Sequence, residues 1–171
     1  MYTIDRDDTV RTLDDIPQSS TGAPIPLVLS DENTAVIAYY EQPPWDGKSV
    51  RGVDAETSDE PTAIVSFRSV RAMYFGAPND EAFAGHPLAR RGLRPYSAAE
   101  VLHSSWIRQL ERMNSVYPHH QPGAFATLHH YILAFHDSIF ECVARGYEVS
   151  CQRGAIHHAI PAMLARLRQR P

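Results

Sequence analysis

Nine histidines stand in this chain of 171 residues, which is more than a chain of this length usually carries. Imidazole is the commonest metal ligand among side chains and the one that titrates near neutral pH, so this enrichment favours metal binding or proton transfer. The spacings of dedicated metal motifs, His-Glu-x-x-His and paired Cys-x-x-Cys, do not occur in the sequence. Any metal site must therefore be assembled from distant segments.

The stretch from 130 to 145 predicts a β-hairpin, with strands 130–136 and 139–145 around a two-residue Asp137-Ser138 turn. Because strand side chains alternate, this register places His136 and Glu141 diagonally across one face. A carboxylate beside an imidazole orients the ring and raises its basicity, so His136, Asp137 and Glu141 are candidate catalytic residues. The alternative is a turn aspartate next to a solvated cross-strand pair. The opposite face is apolar and predicted to enter the core: Tyr131, Leu133, Phe135, Phe140, Cys142 and Ala144.

A second polar cluster follows a run of strand-forming residues. The loop 76–88 contains Asn79, Asp80 and Glu81, which are candidate substrate contacts because rigid strands hold such loops in place. It also contains His86, which with His136 and Glu141 could bind a divalent metal ion. The alternative is turn chemistry alone, since asparagine and aspartate recur in any loop.

Aromatic side chains offer a third group of candidates. Tyr40 ends a predicted strand, and Trp45 lies in the aperiodic segment 42–61, whose length is typical of mobile or functional loops. Both could line a substrate pocket, although aromatic residues more often fill a core or its rim. The glycine-rich fingerprints of nucleotide cofactors and the Gly-x-Ser-x-Gly nucleophile motif do not occur. A divalent metal is therefore the one cofactor that the sequence suggests.

The elements that position these residues follow from apolar periodicity. Segments 25–30 and 34–40 predict a hairpin, and 63–75 predicts a long strand. The capping-box spacing of Ser97 and Glu100 predicts a helix over 97–114, with an apolar stripe at three- and four-residue steps. A second stripe predicts a C-terminal helix from 156, with Pro161 in its first turn or at a kink.

The order of these elements predicts an α+β fold. Strands joined by hairpins favour a mainly antiparallel sheet, with the 97–114 helix packed on one face and the C-terminal helix added. A small open β-barrel flanked by helices is the alternative. Residues 1–24 are expected to form an irregular acidic lead-in, and 25–171 a single domain of ordinary size.

Composition limits the partners. The formal net charge of −4 and the lack of long basic runs argue against general nucleic-acid binding. No apolar run is long enough to cross a membrane, and the N-terminus lacks a secretory pattern, so a cytoplasmic location is expected. In that reducing compartment Cys142 and Cys151 are expected to be free thiols. Arginine supplies 15 of the 16 basic residues, which is typical of a GC-rich bacterial genome.

No motif in the sequence names a reaction. The residue types favour a cytosolic bacterial enzyme that acts on a small polar molecule through a histidine/carboxylate site, with or without the assistance of a metal ion. The alternative is a non-catalytic module that binds a small ligand or a protein through the 42–61 loop. A homodimer is expected only because symmetric dimers are common.

Overall fold

The computed structural model describes residues 3–22, 25–42, 57 and 59–169. Over this part of the chain, nine strands form two antiparallel sheets and two α-helices accompany them. The strands are β1 Thr9–Thr12, β2 Leu27–Ser30, β3 Thr34–Tyr40, β4 Pro61–Arg68, β5 Ala72–Gly76, β6 Ala98–Leu102, β7 His129–Ala134, β8 Ile139–Ala144 and β9 Gly146–Arg153. The helices are α1 Ser105–Asn114 and α2 Ile160–Arg168. The predicted α+β class is confirmed.

The two sheets stack face to face. One has five strands in the order β1-β6-β7-β8-β5, and the other has four in the order β2-β3-β4-β9. Alternation along each strand sends one set of apolar side chains into the layer between the sheets. Phe67 of β4 lies at its centre, with ring centroids 5.4 Å from both Tyr131 and Phe140. The face predicted to be apolar on the second hairpin lies in this layer.

Each sheet is covered on its outer side by other parts of the chain. Helix α2 packs on the four-stranded sheet, where Ile156 and Met163 are buried against β3 and β4. The segment between β5 and β6, which contains two short 3-10 turns, covers the five-stranded sheet. Its side chains Phe83, Leu88 and Leu93 are buried there. The polar residues on the outer face of β7 and β8 are therefore enclosed.

The prediction of one continuous strand over 63–75 is wrong, because two separate strands, β4 and β5, lie in this region. The chain leaves the four-stranded sheet after Arg68, and Ser69 takes a left-handed backbone with φ of 55°. It then enters the five-stranded sheet as β5, with the Arg71 amide donating to the Val143 carbonyl oxygen. Ser69 is not a glycine, so the sequence gives no local sign of this crossing.

The first half of the predicted 97–114 helix is also wrong. Ala98–Leu102 form strand β6, which pairs with β1 on one side and β7 on the other, and this pairing overrides the local capping-box signal. The helix begins only at Ser105, with Ser104 as its N-cap. The lead-in is not irregular throughout, because β1 lies within it.

Both predicted hairpins and the C-terminal helix are confirmed, and Pro161 stands in the first turn of α2. Pro161 has no amide hydrogen, and the first turn is where a helix does not need one. Among the described residues, neither helix has the length and apolar content that crossing a bilayer would need.

We expect Phe67→Ala to lower the free energy of unfolding by about 3–5 kcal/mol, because it empties the centre of the layer between the sheets. Urea denaturation measures this change. Phe75→Ala is the matched control, since that ring is 42% exposed, and it should cost under about 1 kcal/mol. Equal losses in the two variants would contradict the stacked arrangement.

Candidate functional site

A carboxylate is buried under the covering segment of the five-stranded sheet. Glu141 on β8 is 1% exposed and lies between two buried histidines. Its Oε1 is 3.0 Å from Nε2 of His86, and its Oε2 is 3.0 Å from Nε2 of His130. His86 comes from the covering segment and His130 from β7, so three separate stretches of chain meet at this carboxylate.

The hydrogen bonds fix the tautomer of His86. The Leu88 amide donates to Nδ1 of His86 over 3.2 Å, so Nδ1 carries no proton and Nε2 donates to Glu141. His130 also presents Nε2 to the carboxylate, and its Nδ1 is 2.9 Å from the Ser104 hydroxyl. With His130 neutral, the Ser104 hydroxyl donates to Nδ1 and His130 Nε2 donates to Glu141.

Glu141 is ionised in spite of its burial. Burial by itself raises the pKa of this carboxyl, but the hydrogen bonds from His130 and His86 outweigh it and lower the pKa to about 2. This charge lies against the ring of His130, whose Nε2 is 3.0 Å from Oε2 of Glu141.

An open cleft of about 380 Å³ lies at the end of the five-stranded sheet where β6 ends and β7 begins. Helix α1 and the segment before β7 form its walls, with Ile107, Phe125 and Leu128 as apolar lining. The polar lining is Glu100, His103, Ser104, Arg108, Glu111 and His129. Ser104 therefore borders both the cleft and the buried network.

A second histidine–carboxylate pair lies in the cleft itself. Nδ1 of His129 is 2.6 Å from Oε1 of Glu100, and Arg11 donates to the other carboxylate oxygen. Burial raises the pKa of Glu100, but hydrogen bonds from His129 and Arg11 outweigh it and hold the pKa below its usual range. Because Glu100 engages Nδ1, Nε2 is the ring nitrogen of His129 available to a bound molecule.

The predicted pairing of His136 with Glu141 is wrong. The strands end at the Ala134–Ile139 pair, so residues 135–138 form the turn and Glu141 lies opposite Ile132. This register differs by two residues from the predicted one, which leaves every side chain on its predicted face. The diagonal histidine of Glu141 consequently becomes His130.

His136 and Asp137 instead belong to an exposed cluster at the hairpin tip. Nδ1 of His136 is 2.9 Å from Oδ1 of Asp137. This hydrogen bond raises the pKa of His136; partial burial opposes the shift, and the charge of Asp80 adds to it. Tyr96 donates to Asp80, and the Asp80 amide donates to the His136 carbonyl oxygen over 2.8 Å. The loop 76–88 and the hairpin tip therefore do meet, but apart from Glu141.

The remaining predicted contacts divide between turn and core roles. Asn79 Oδ1 accepts from the Ala82 amide and caps a turn, and Glu81 is exposed. Tyr40 is buried on the outer side of the four-stranded sheet, where the Ile156 amide donates to its hydroxyl, so it has a core role. Trp45 and most of the 42–61 loop lie outside the described residues.

The predicted metal set is not assembled. The structure brings His86 and Glu141 together, but His136 lies in the exposed cluster. Among the described residues, no group of three or more histidine, cysteine, aspartate and glutamate side chains has an arrangement suited to a metal ion. Both ring nitrogens of His86 are already used in hydrogen bonds.

Part of the site that sequence reasoning does not predict nevertheless has a signal in the sequence. His129 and His130 are adjacent in β7, so alternation sends them to opposite faces, one to each carboxylate. The Ser-x-x-Glu spacing is a helix signal, and it places Glu100 in a capping box rather than beside a histidine. Ser104 carried no signal, since its role depends on where β6 ends.

We expect the stability difference between wild type and Glu141→Gln to depend on pH. The pKa of Glu141 is lower in the folded chain than its ordinary value of 4.5, so its contribution is present above that value and lost as pH falls towards 2. Between about pH 5.5 and about pH 3, the difference in free energy of unfolding should narrow by about 2 kcal/mol, measured by urea denaturation. Glu81→Gln, at an exposed position, is the control. A difference independent of pH would contradict an ionised Glu141.

Comparison with known proteins adds no relative: no protein-family model, no curated protein and no solved structure matches this chain. The function is therefore inferred from the cleft and from the two histidine–carboxylate arrangements that border it.

Proposed function

We propose that this chain is a cytosolic bacterial enzyme that carries out acid–base chemistry on a small polar molecule bound in the cleft. The observation that carries the proposal is the contact of 2.6 Å between Nδ1 of His129 and Oε1 of Glu100. An imidazole oriented by a carboxylate, with its second nitrogen available to a ligand, is the usual form of a general base.

The charge of Glu100 determines what His129 can do. Glu100 is an acceptor for Nδ1–H, so neutral His129 presents the lone pair of Nε2 to the cleft. When Nε2 takes a proton from a bound molecule or from water, the nearby carboxylate stabilises the resulting imidazolium. The same ring can return that proton to a leaving group.

The lining of the cleft supports a small and partly apolar ligand. A volume of about 380 Å³ is near the lower end for small-molecule sites, which range from about 300 to about 1,000 Å³. Ile107 and Phe125 offer apolar contact, and Glu111 adds a carboxylate. Arg108 is paired with Asp5, so its charge is already partly compensated.

The free thiols agree with the proposed location. Cys142 is buried and Cys151 is exposed, and both are unpaired with other cysteines. An exposed thiol persists in a reducing compartment such as the cytosol.

We expect His129→Gln to lower kcat by about 10²–10⁴-fold, because glutamine keeps a polar side chain but cannot exchange a proton. The assay follows hydrolysis of small p-nitrophenyl esters, p-nitroanilides and p-nitrophenyl phosphate. The imidazole-dependent limb of the pH–rate profile should be absent from the variant. Glu100→Gln should show a smaller loss, since it weakens the orientation of the ring and the stabilisation of its charge.

His119→Gln is the control, because that histidine is exposed and does not line the cleft. It should leave the rate unchanged. Wild-type turnover that is the same in His129→Gln would overturn the assignment of the general base.

A second candidate function is protein interaction, and one observation favours it. Met113, Val116 and Tyr117, at the end of α1 and just beyond it, are 65%, 86% and 55% exposed. Large apolar side chains grouped on a surface often mark an interface, and symmetric dimers are the commonest assembly. Light scattering would give twice the 19.2 kDa chain mass for a dimer, and Val116→Asp would return it to the monomer.

A further inference from the structure

We infer that Ser104 is a nucleophile, and that the cleft takes a small carboxylic ester whose acyl group passes through Ser104 to water. This inference names the reaction class of the proposed enzyme and rests on the same cleft being its ligand site. It depends, however, on a different set of side chains from the His129–Glu100 pair.

The first observation is the relay of Ser104, His130 and Glu141. The Ser104 hydroxyl is 2.9 Å from Nδ1 of His130, and Nε2 of His130 is 3.0 Å from Oε2 of Glu141. A hydroxyl, an imidazole and a carboxylate in this order form the arrangement that activates a serine, and the arrangement is recognised by geometry rather than by sequence order. The two ring nitrogens exchange roles relative to the usual case, but either nitrogen can accept the proton.

The second observation is that this relay meets the cleft at Ser104. Ser104 is a lining residue of the cleft with 4% of its surface exposed, whereas His130 and Glu141, at 0% and 1%, do not line it. Burial keeps water from the imidazole and the carboxylate, which strengthens their interaction. His86 holds the other oxygen of Glu141 and so positions the carboxylate.

The backbone before Ser104 presents its hydroxyl at the start of a helix. His103 takes a left-handed conformation with φ of 55°, which turns the chain sharply between the end of β6 and α1. Ser104 Oγ also accepts from the Ile107 amide over 3.3 Å. A hydroxyl with one proton and two lone pairs can donate to His130, accept from Ile107 and keep one lone pair for attack.

In the first step, Ser104 Oγ attacks the carbonyl carbon of the ester and its proton passes to Nδ1 of His130. The new O–C bond forms as the carbonyl π pair moves to oxygen. That pair then returns, the bond to the alcohol oxygen breaks, and His130 gives the proton to the departing alkoxide. An acyl-serine and a free alcohol result.

In the second step, water attacks the acyl-serine and its proton passes to Nε2 of His129 in the cleft. His129 lines the cleft and presents Nε2 to it. The bond from the water oxygen to the acyl carbon forms as the carbonyl π pair moves to oxygen. That pair returns as the bond to Ser104 Oγ breaks, and the proton held by His129 passes to the serine oxygen. The net reaction is ester plus water to carboxylic acid plus alcohol, with no other reactant needed.

The simpler role for Ser104 is that of a helix cap, and the test must separate the two roles. Ser104→Asn keeps a capping oxygen, since asparagine is among the best N-cap residues, but it has no hydroxyl. Ser115→Ala removes an exposed hydroxyl at the other end of the same helix and serves as the matched control. Circular dichroism checks that each variant is folded.

The probe is a small alkyl fluorophosphonate, which loses fluoride as it forms a covalent bond to an activated serine. Mass spectrometry of the digested protein should place a single adduct on Ser104 in wild type and in Ser115→Ala. Ser104→Asn should carry no adduct, and His130→Gln should react at least 100-fold more slowly. His129→Gln should still be labelled, but with p-nitrophenyl acetate it should release a burst of nitrophenol and then turn over slowly.

Absence of an adduct on the wild type, or equal labelling of Ser104→Asn, would overturn the assignment of Ser104 as the nucleophile. If turnover depends on His129 while Ser104 stays unlabelled, the result supports the proposed acid–base enzyme and contradicts the role of Ser104 as a nucleophile. If Ser104 is labelled while His129→Gln hydrolyses the ester at the wild-type rate, the result supports Ser104 as the nucleophile and contradicts His129 as the general base.

Discussion

The ionised carboxylate of Glu141 constrains the arrangement of the chain around it. A buried charge costs several kcal/mol unless donors surround it, and here the donors are His86 and His130. One donor comes from the neighbouring strand and the other from the segment that covers the sheet. The carboxylate therefore requires that segment to close over the outer face, and it gives the apolar side chains Phe83 and Leu88 a fixed position against the sheet. Polar satisfaction and core packing depend on each other at this point.

The hydrogen bonds of Glu141 also determine the geometry of the cleft, because β7 carries a histidine for each of the two sites. His129 and His130 are consecutive in β7, so the pleat directs one imidazole to Glu100 and the next to Glu141. A shift of β7 by one residue would exchange these faces and leave both carboxylates without their partners. The contact of His130 with Glu141 thus fixes the register that positions His129 beside Glu100. Ser104, which lines the cleft, contacts the buried network through its hydrogen bond to His130.

The sequence predicted the parts of this structure that depend on periodicity, and it missed those that depend on register. Apolar alternation identified both hairpins and the inward face of the second, because a two-residue shift of pairing preserves faces. Because of the same shift, the histidine beside Glu141 is His130 and not the predicted His136. The strand 98–102 was missed because a local capping signal agreed with a helix, whereas its pairing with β1 and β7 is a contact between residues far apart in sequence.

Backbone strain at three residues shows why local sequence patterns fail to predict some of the turns. Within the described part of the chain, the left-handed residues other than glycine are Ser69, Tyr96 and His103. Each costs of order 1 kcal/mol or more and persists only because tertiary contacts hold it. Ser69 crosses between the sheets, Tyr96 donates to Asp80, and His103 turns the chain into α1. No propensity scale favours these conformations at these residues, so the turn that brings Ser104 to His130 follows from the packing of β6 and α1 rather than from the residues at the turn.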